Sequence, residues 1–325
     1  MLTDRYGRTF SYIRLSITDT CNFSCQYCLP NGYTCESKKP PPLTPSEISR
    51  LLETLIRMGV RKVRLTGGEP TLRPDLCEIM NRISAFPEID VLAMTSNGFR
   101  LKERLPRFVA AGLNHLNVSL DSLDPKKFHQ LSGKNSLSQV MSGIDKAIEL
   151  QLKALKVNTV LMKHFNYESM DQFLDWLKNR PLSLRFIELM KTGDNLAFFK
   201  DQHIRAHQLK SEFEAAGWTP VPRGKLAGPA QELSHPDYAG TVGFIAPYDK
   251  SFCSGCNRLR ITSQGELRLC LFGNKNHSLR SYLQSQSQSQ ELEDKIYSLL
   301  KIKQENHELL KGDHGSTRHF AEIGG

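Results

Sequence analysis

No apolar run in this sequence is long enough to cross a bilayer, so a membrane-spanning helix is excluded and no membrane partner is expected. The opening residues, Met1-Leu2-Thr3-Asp4-Arg5, lack the basic start and apolar stretch of a secretory leader, which makes the cytoplasm the expected location. No dense Lys/Arg run interleaved with aromatics occurs either, and nucleic-acid binding is not expected. The net charge of +9, from 43 Lys and Arg against 34 Asp and Glu, suits an anionic small ligand instead. A GxxxxGK(S/T) string is missing too. A nucleoside triphosphate, if bound, has to be held by dispersed arginines and lysines rather than by a P-loop.

With 325 residues, the chain has room for one large α/β domain and a smaller appendage. Short β-branched stretches alternate with helical patterns as far as Met190, the pattern of repeated βα units around a parallel sheet. The expected strands are Tyr12 to Thr18, Lys62 to Thr66, Val91 to Ser96, Leu116 to Leu120, Lys156 to Leu161 and Leu184 to Leu189. The clearest helix starts at Thr44-Pro45-Ser46-Glu47, an N-cap, a first-turn proline and a capping-box glutamate. Six βα units are too few for a closed eight-stranded barrel. Their regular order fits a partial (β/α)6 TIM-like barrel better than a doubly wound sheet. Beyond Met190 the rhythm breaks. Gly/Pro-rich text around Gly224 to Ala230 precedes a strand, Thr241 to Ala246, and a hairpin, Arg258 to Leu271. The expectation is a barrel over residues 1–235 and a smaller α+β region over 236–325. The serine and glutamine stretch Gln284 to Gln290 reads as a solvated loop or frayed helix end.

Eight cysteines in a reducing compartment point to metal or redox chemistry when they cluster, and six of them do. Cys21, Cys25 and Cys28 form CxxxCxxC just after the first strand, where a barrel gathers its loops. Three thiolates hold three corners of a 4Fe-4S cube and leave one iron open. S-adenosylmethionine (SAM) can chelate that iron and be cleaved there by one electron. Zinc normally takes four ligands, often in CxxC pairs, and fits this triplet poorly. Cys253 and Cys256 form a CxxC loop, with Cys270 on the far arm of the hairpin, again a set of three. His277 is the nearest candidate for a fourth ligand, but its polar loop favours a surface role. Cys35 and Cys77 read as unmetallated.

The second strand ends in Leu65-Thr66-Gly67-Gly68-Glu69-Pro70, where paired glycines allow close backbone approach to a ligand. Polar text at further strand ends, Thr95-Ser96-Asn97-Gly98 and Ser119-Leu120-Asp121-Ser122, lies where barrels keep their active sites. Arg14, Arg64 and Lys156 are charged residues inside apolar strands, and Arg258 and Arg260 alternate on one strand face.

The segments YIRLSITDTCNFSCQYC, VRLTGGEPTLR, MTSNG, LNVSLDSLD, KVNTV, RFIELM and FCSGCNRLRITSQGELRLCLF, with a terminal Ile323-Gly324-Gly325, resemble the GTP 3′,8-cyclase family of the radical SAM superfamily over nearly the whole chain. The resemblance implies two 4Fe-4S clusters, one on Cys21, Cys25 and Cys28 and an auxiliary one on Cys253, Cys256 and Cys270. It implies SAM contacts at Tyr27, Gly68, Ser119 and Met190. GTP contacts are implied at Arg14, Arg64, Thr95, Lys156, Arg258, Leu259 and Arg260. Catalytic roles fall on Arg14, Arg258, Arg260, Gly324 and Gly325, the last two as a tail inserted into the site. The implied surroundings are a flavodoxin or ferredoxin reductant, a cyclic pyranopterin monophosphate synthase that receives the product, and room for a homodimer. Lys191 and Phe320 depart from the family pattern, which usually has proline and methionine there. The alternatives are a radical SAM enzyme with an auxiliary cluster that modifies a peptide, and a non-catalytic zinc- or iron-binding module.

Overall fold

Along the first strand, Ile13 and Leu15 are buried against helices, while Tyr12, Arg14 and Ser16 alternate onto the other face. The computed structural model describes residues 1–34 and 39–323, and this two-residue period recurs through its parallel strands. The strands of the first two thirds are β1 (Tyr12–Ser16), β2 (Lys62–Thr66), β3 (Val91–Ser96), β4 (His115–Ser119), β5 (Ala154–Leu161) and β6 (Ser183–Glu188). The later ones are β7 (Thr219–Pro220), β8 (Gln231–Ser234), β9 (Thr241–Ile245), β10 (Arg258–Ile261), β11 (Glu266–Arg268) and β12 (His277–Ser278). The helices are α1 (Pro45–Arg57), α2 (Leu76–Ser84), α3 (Leu101–Ala110), α4 (Pro125–Ser132), α5 (Leu137–Glu149), α6 (Met170–Leu177), α7 (Leu196–Gln202), α8 (Ala206–Ala215) and α9 (Ser289–Lys301).

All strands lie in one sheet of order β12-β11-β10-β1-β2-β3-β4-β5-β6-β9-β8-β7. From β10 to β9 every pairing is parallel, and only the outermost pairs on each side are antiparallel. The strands β1 to β6 follow one another without reversal, which rules out the doubly wound alternative. Side chains from β1, β2, β4, β5, β6, β9 and β10 line one cavity, so the sheet curves around it as an open barrel. The later strands do not stand apart: β9 extends the sheet beyond β6, and β10 extends it beyond β1.

The apolar face of each strand meets the helices. Ile13, Val63, Leu92, Leu116, Val157, Leu184, Val242 and Leu259 join Ile48, Leu51, Leu52, Ile79, Ile83, Leu105, Ile144 and Leu177 in one core. The inner face is left to polar residues, which positions the site. Helix α1 starts as expected, with the Glu47 amide donating to Thr44 Oγ1 at 3.2 Å and the Thr44 amide to Glu47 at 2.8 Å. The serine and glutamine stretch, expected as a solvated loop or frayed helix end, is largely exposed and runs into the start of a helix. Ser285 and Gln288 form a second capping box, a short turn leads into α9, and Gln284 and Gln286 donate to Glu47 at 3.1 Å and Glu53 at 2.7 Å.

Candidate active site

The loop after β1 carries the first three cysteines and is pinned from several sides. Amides of Ser24 and Gln26 donate to carbonyls of Ser132 and Leu131 at the end of α4, both at 3.0 Å. The amides of Gly68 and Glu69 donate to Thr18 and Thr20 at 2.9 and 2.8 Å. A Cβ on Gly68 would lie 2.2 Å from the Thr20 carbonyl oxygen, and one on Gly67, whose φ is +148°, 2.2 Å from that of Thr18. The paired glycines thus serve an approach of the chain to its own cysteine loop. Glu69 is buried beneath them and accepts from the amides of Thr71 (3.1 Å) and Asn97 (2.7 Å) and from Ser96 Oγ (2.9 Å).

Burial is the main force on these thiols. It pushes Cys21 up to about 11, with Glu69 adding to it, and Cys28 to about 12, and raises Cys25 well above the ordinary range, with neighbouring thiolates and Asp121 adding to these two. Asp121 is itself pushed up to about 6 by burial, and accepts from the Tyr27 hydroxyl at 2.7 Å and the Val160 amide at 2.8 Å. Tyr27 is thereby fixed beside the cysteine loop. Phe320 and Ala321 line the same cavity as Cys28, and Cys28 packs against the apolar cluster that includes Phe320, so the C-terminal segment lies against this triad.

The second triad sits on the turn between β9 and β10 and on the chain leaving β11. The Cys256 amide donates to the Cys253 carbonyl at 3.1 Å, and Arg8 braces the turn by donating to that same carbonyl at 3.2 Å. Burial raises Cys253. Burial acts the same way on Cys256, but the nearby Arg258 and Lys303 charges prevail and hold its thiol below the ordinary value. Among the described residues, no three His, Cys, Asp or Glu side chains converge on a point as a single metal ion requires. Thiols spread to the corners of a cube need no such convergence, and each set of three leaves one iron open, so the donor sets fit cubane clusters.

The cavities stack along the strands. One of ≈ 160 Å³ lies at the C-terminal strand ends, lined by Cys21, Cys25, Cys28, Tyr27, Gly68, Thr95, Ser119 and Met190. A second, of ≈ 140 Å³, is lined by Cys253, Cys256 and Cys270 with Arg14, Arg64, Arg258 and Arg260. Asn158, Ile187 and Met190 line both. A mouth of ≈ 930 Å³ opens at the N-terminal strand ends and shares Lys62 and Arg185 with the second cavity. Cys28 and Cys270 pack against one apolar cluster of Tyr248, Phe272, Leu309 and Phe320.

Strand register assembles the cations. Arg260, Arg14 and Arg64 are direct neighbours across β10, β1 and β2, and two residues earlier stand Arg258, Tyr12 and Lys62. Arg64 donates to the Tyr12 hydroxyl at 2.5 Å and to Thr95 Oγ1 at 3.2 Å. Burial opposes ionisation of Tyr12, yet Arg64, Arg14 and Lys62 pull its phenol down to about 6. Burial, followed by neighbouring cations, depresses Lys156 to about 7, and burial is likewise the main force holding Lys62 at about 8 and Arg14 at about 10. A pocket this rich in crowded cations favours a polyanion.

The expected residues fall into place unevenly. The four implied SAM contacts and Thr95 line the first cavity; Arg14, Arg64, Arg258 and Arg260 line the second; Lys156 lines the mouth. The Leu259 side chain points into the helix-side core, leaving only its backbone for a ligand. Gly324 and Gly325 lie outside the described residues, as does Cys35; the last described residue, Ile323, accepts from Arg260 through its carbonyl at 3.4 Å. Cys77 is a half-buried residue of α2, and His277 belongs to β12, away from both triads. Lys191 donates through Nζ to the Gly312 carbonyl at 3.0 Å. The residues the sequence reading missed are Lys62, Asn117, Asn158, Arg185, Lys303 and His307, all lining the second cavity. The signal for most of them was the two-residue strand period itself, with polar residues at 62, 64 and 66 and at 156 and 158.

Residues 15–177 match the radical SAM superfamily and residues 182–309 the molybdenum cofactor synthesis C family. The chain is 46% identical over 325 residues to the GTP 3′,8-cyclase of Synechococcus elongatus, covering 100% of this chain and 99% of that one. It is 48% identical over 328 residues to the GTP 3′,8-cyclase of Aeromonas hydrophila, covering 100% and 96%. The crystal structure of Streptococcus suis SuiB bound to S-adenosylmethionine superposes with a TM-score of 0.63 at 14% identity, over 91% of this chain and 68% of that one, a likeness of fold.

Proposed function

The chain belongs to the GTP 3′,8-cyclase family of radical SAM enzymes, and we propose that it joins C3′ to C8 of GTP. The product is (8S)-3′,8-cyclo-7,8-dihydroguanosine 5′-triphosphate, the first intermediate of molybdenum cofactor biosynthesis. The observation that carries this reading is the pair of cysteine triads opening onto one cation-lined barrel interior, joined through Met190.

Cys21, Cys25 and Cys28 hold the cluster that receives SAM, and Cys253, Cys256 and Cys270 hold the auxiliary cluster. When bound, the first cluster and SAM supply a primary carbon radical that can take hydrogen from an unactivated C–H bond. Tyr27, fixed by Asp121, and Gly68, Ser119 and Met190 shape the SAM side. Arg14, Arg64, Lys156, Arg258 and Arg260, together with Lys62 and Arg185, neutralise the triphosphate, and Thr95 orients Arg64 from the side. Leu259 contributes through its backbone. The catalytic roles of Gly324 and Gly325 stay part of this reading on the family resemblance, and the Ile323 carbonyl just before them accepts from Arg260. The protein's share of the work is positioning: one ribose hydrogen is offered to the radical while water and other hydrogens are kept away. A small flavodoxin or ferredoxin supplies electrons, a cyclic pyranopterin monophosphate synthase consumes the product, and a homodimer is the assembly to look for.

Loss of hydrogen at C3′ and gain of one on the reduced purine make the product an isomer of GTP. The test is therefore anaerobic incubation of reconstituted protein with SAM, a strong reductant and GTP deuterated at C3′. Deuterium in 5′-deoxyadenosine and a new nucleotide of unchanged composition, less that label, are expected. Deuterium retained in GTP while SAM is consumed overturns the assignment.

A further inference from the structure

Asn158 has no task in the scheme above, yet it stands at the junction of the two triad cavities. Its side-chain oxygen is buried and has no hydrogen-bond partner among the described residues. An unpaired buried acceptor is destabilising, and a site that tolerates one usually meets its donor in a ligand.

Position along β5 indicates which donor. The inward residues of this strand are Lys156, Asn158 and Val160, of which Lys156 lines the mouth and Val160 the first-triad cavity. At the rise of a parallel strand, Asn158 is about 7 Å from each level. Its register neighbours are Ser119 on β4 and Arg185 on β6. Phosphates belong toward the mouth, which Lys156 lines and which the Lys62 and Arg185 side chains share with the second cavity. Ionised phosphates also have no proton to give, so they cannot satisfy the Asn158 carbonyl oxygen. The portion of a nucleoside triphosphate that lies between its phosphates and the first triad, and that carries O–H donors, is the sugar.

We propose that Asn158 accepts a hydrogen bond from a ribose hydroxyl of the nucleotide substrate and so holds the reacting carbon at the junction of the two cavities. The proposal rests on the cyclase reading. Asn158 is a binding and positioning residue: its carbonyl oxygen accepts the O–H, and its amide remains free to donate to the ring or to the neighbouring hydroxyl. Losing it lets the sugar drift, so that SAM is spent without ring closure.

The test uses the anaerobically reconstituted holoenzyme, as wild type, Asn158→Ala and Asn158→Asp. Dissociation constants are measured for GTP, 2′-deoxy-GTP, 3′-deoxy-GTP and SAM, with 5′-deoxyadenosine formed per cyclised product as a second readout. Wild type is expected to prefer GTP over at least one deoxy analogue by roughly tenfold, the value of one hydrogen bond. That preference should vanish in Asn158→Ala, survive in Asn158→Asp, which keeps an acceptor, and leave SAM affinity unchanged. The ratio of 5′-deoxyadenosine to product should rise in the alanine variant. Equal binding of all three nucleotides by wild type overturns the proposal, as does an undiminished preference in Asn158→Ala. A loss of SAM affinity with the nucleotide series unchanged also overturns it, by assigning the amide to SAM. Should Asn158→Ala lose iron or fold, retention of the preference by Asn158→Asp supports the proposal and its loss, with SAM affinity intact, counts against it. Failure of wild type to cyclise GTP at all refutes the cyclase reading separately, since the affinity measurements do not depend on turnover.

Discussion

Cys21 and Cys270 belong to triads with different duties, and substitution should separate them. Cys21→Ala is expected to abolish 5′-deoxyadenosine formation, whereas Cys270→Ala should keep some SAM cleavage and lose the cyclised nucleotide. Cyclised product from the Cys270 variant at the wild-type rate refutes the division. Lys156 offers a second test. Its ammonium is held at about 7 by burial and then by Arg185 and Arg64, so in the ligand-free protein it loses its proton as pH rises through 7. A triphosphate favours the charged form and restores that proton. GTP affinity should therefore weaken between pH 7 and 9, with proton uptake on binding, and both effects should shrink in Lys156→Met. Titration calorimetry in buffers of different ionisation enthalpy reads this directly; a pH slope identical in the variant assigns the proton elsewhere. Much of this chemistry was legible, because cysteine spacing is local and Arg14, Arg64 and Lys156 stand out in apolar strands. Lys62 and Arg185 escaped, since each looks like a surface charge until the neighbouring strands show which face is enclosed. His307 was hidden for another reason: no local pattern links it to cysteines so far from it in sequence.

Single elements are stitched together by a few polar side chains, of which Glu47 is the clearest. It caps α1 and also accepts from Arg280 at 2.9 Å and Gln284 at 3.1 Å, tying the segment before α9 to α1. Burial alone would raise its carboxyl, but the Arg280 guanidinium and the Thr44 cap hold it down at about 2. A carboxylate depressed in the folded state contributes stability above its unfolded value, near 4.5, and loses that contribution as pH falls toward the folded one. Glu47→Gln is expected to cost about 1–3 kcal/mol at neutral pH, with the gap to wild type closing as pH drops below 4.5. Denaturant melts across that range provide the measurement, and a gap independent of pH would sink the argument. The glycines after β2 set a stricter limit. Gly68→Ala must displace the Thr20 backbone, and we expect reconstituted Gly68→Ala to bind less iron and to lose SAM binding.

Across the whole molecule, both triads depend on parts of the chain remote from them. Phe320 and Ala321 pack beside Cys28, and buried Arg268 anchors the approach to that tail through Ser316 at 3.1 Å and Thr317 at 2.9 Å. Removal of residues from Arg318 onward should leave the iron content near the eight expected for two cubes, while the visible absorption of the clusters bleaches faster in air. Unchanged bleaching excludes a shielding role. Six βα units were readable because each repeats a local pattern. The destinations of β9 and β10 were not, since a short strand carries no mark of the edge it will join. That edge has a kinetic consequence. Tyr12 pairs with Arg258, so during synthesis the outer side of β1 stays without its neighbour for roughly ten to fifty seconds at ordinary elongation rates. The nascent barrel is gaping throughout that interval, and its second set of sulfurs has not yet left the ribosome. Iron delivery to that second set is therefore a late event in the life of the polypeptide, long after the first three cysteines have emerged.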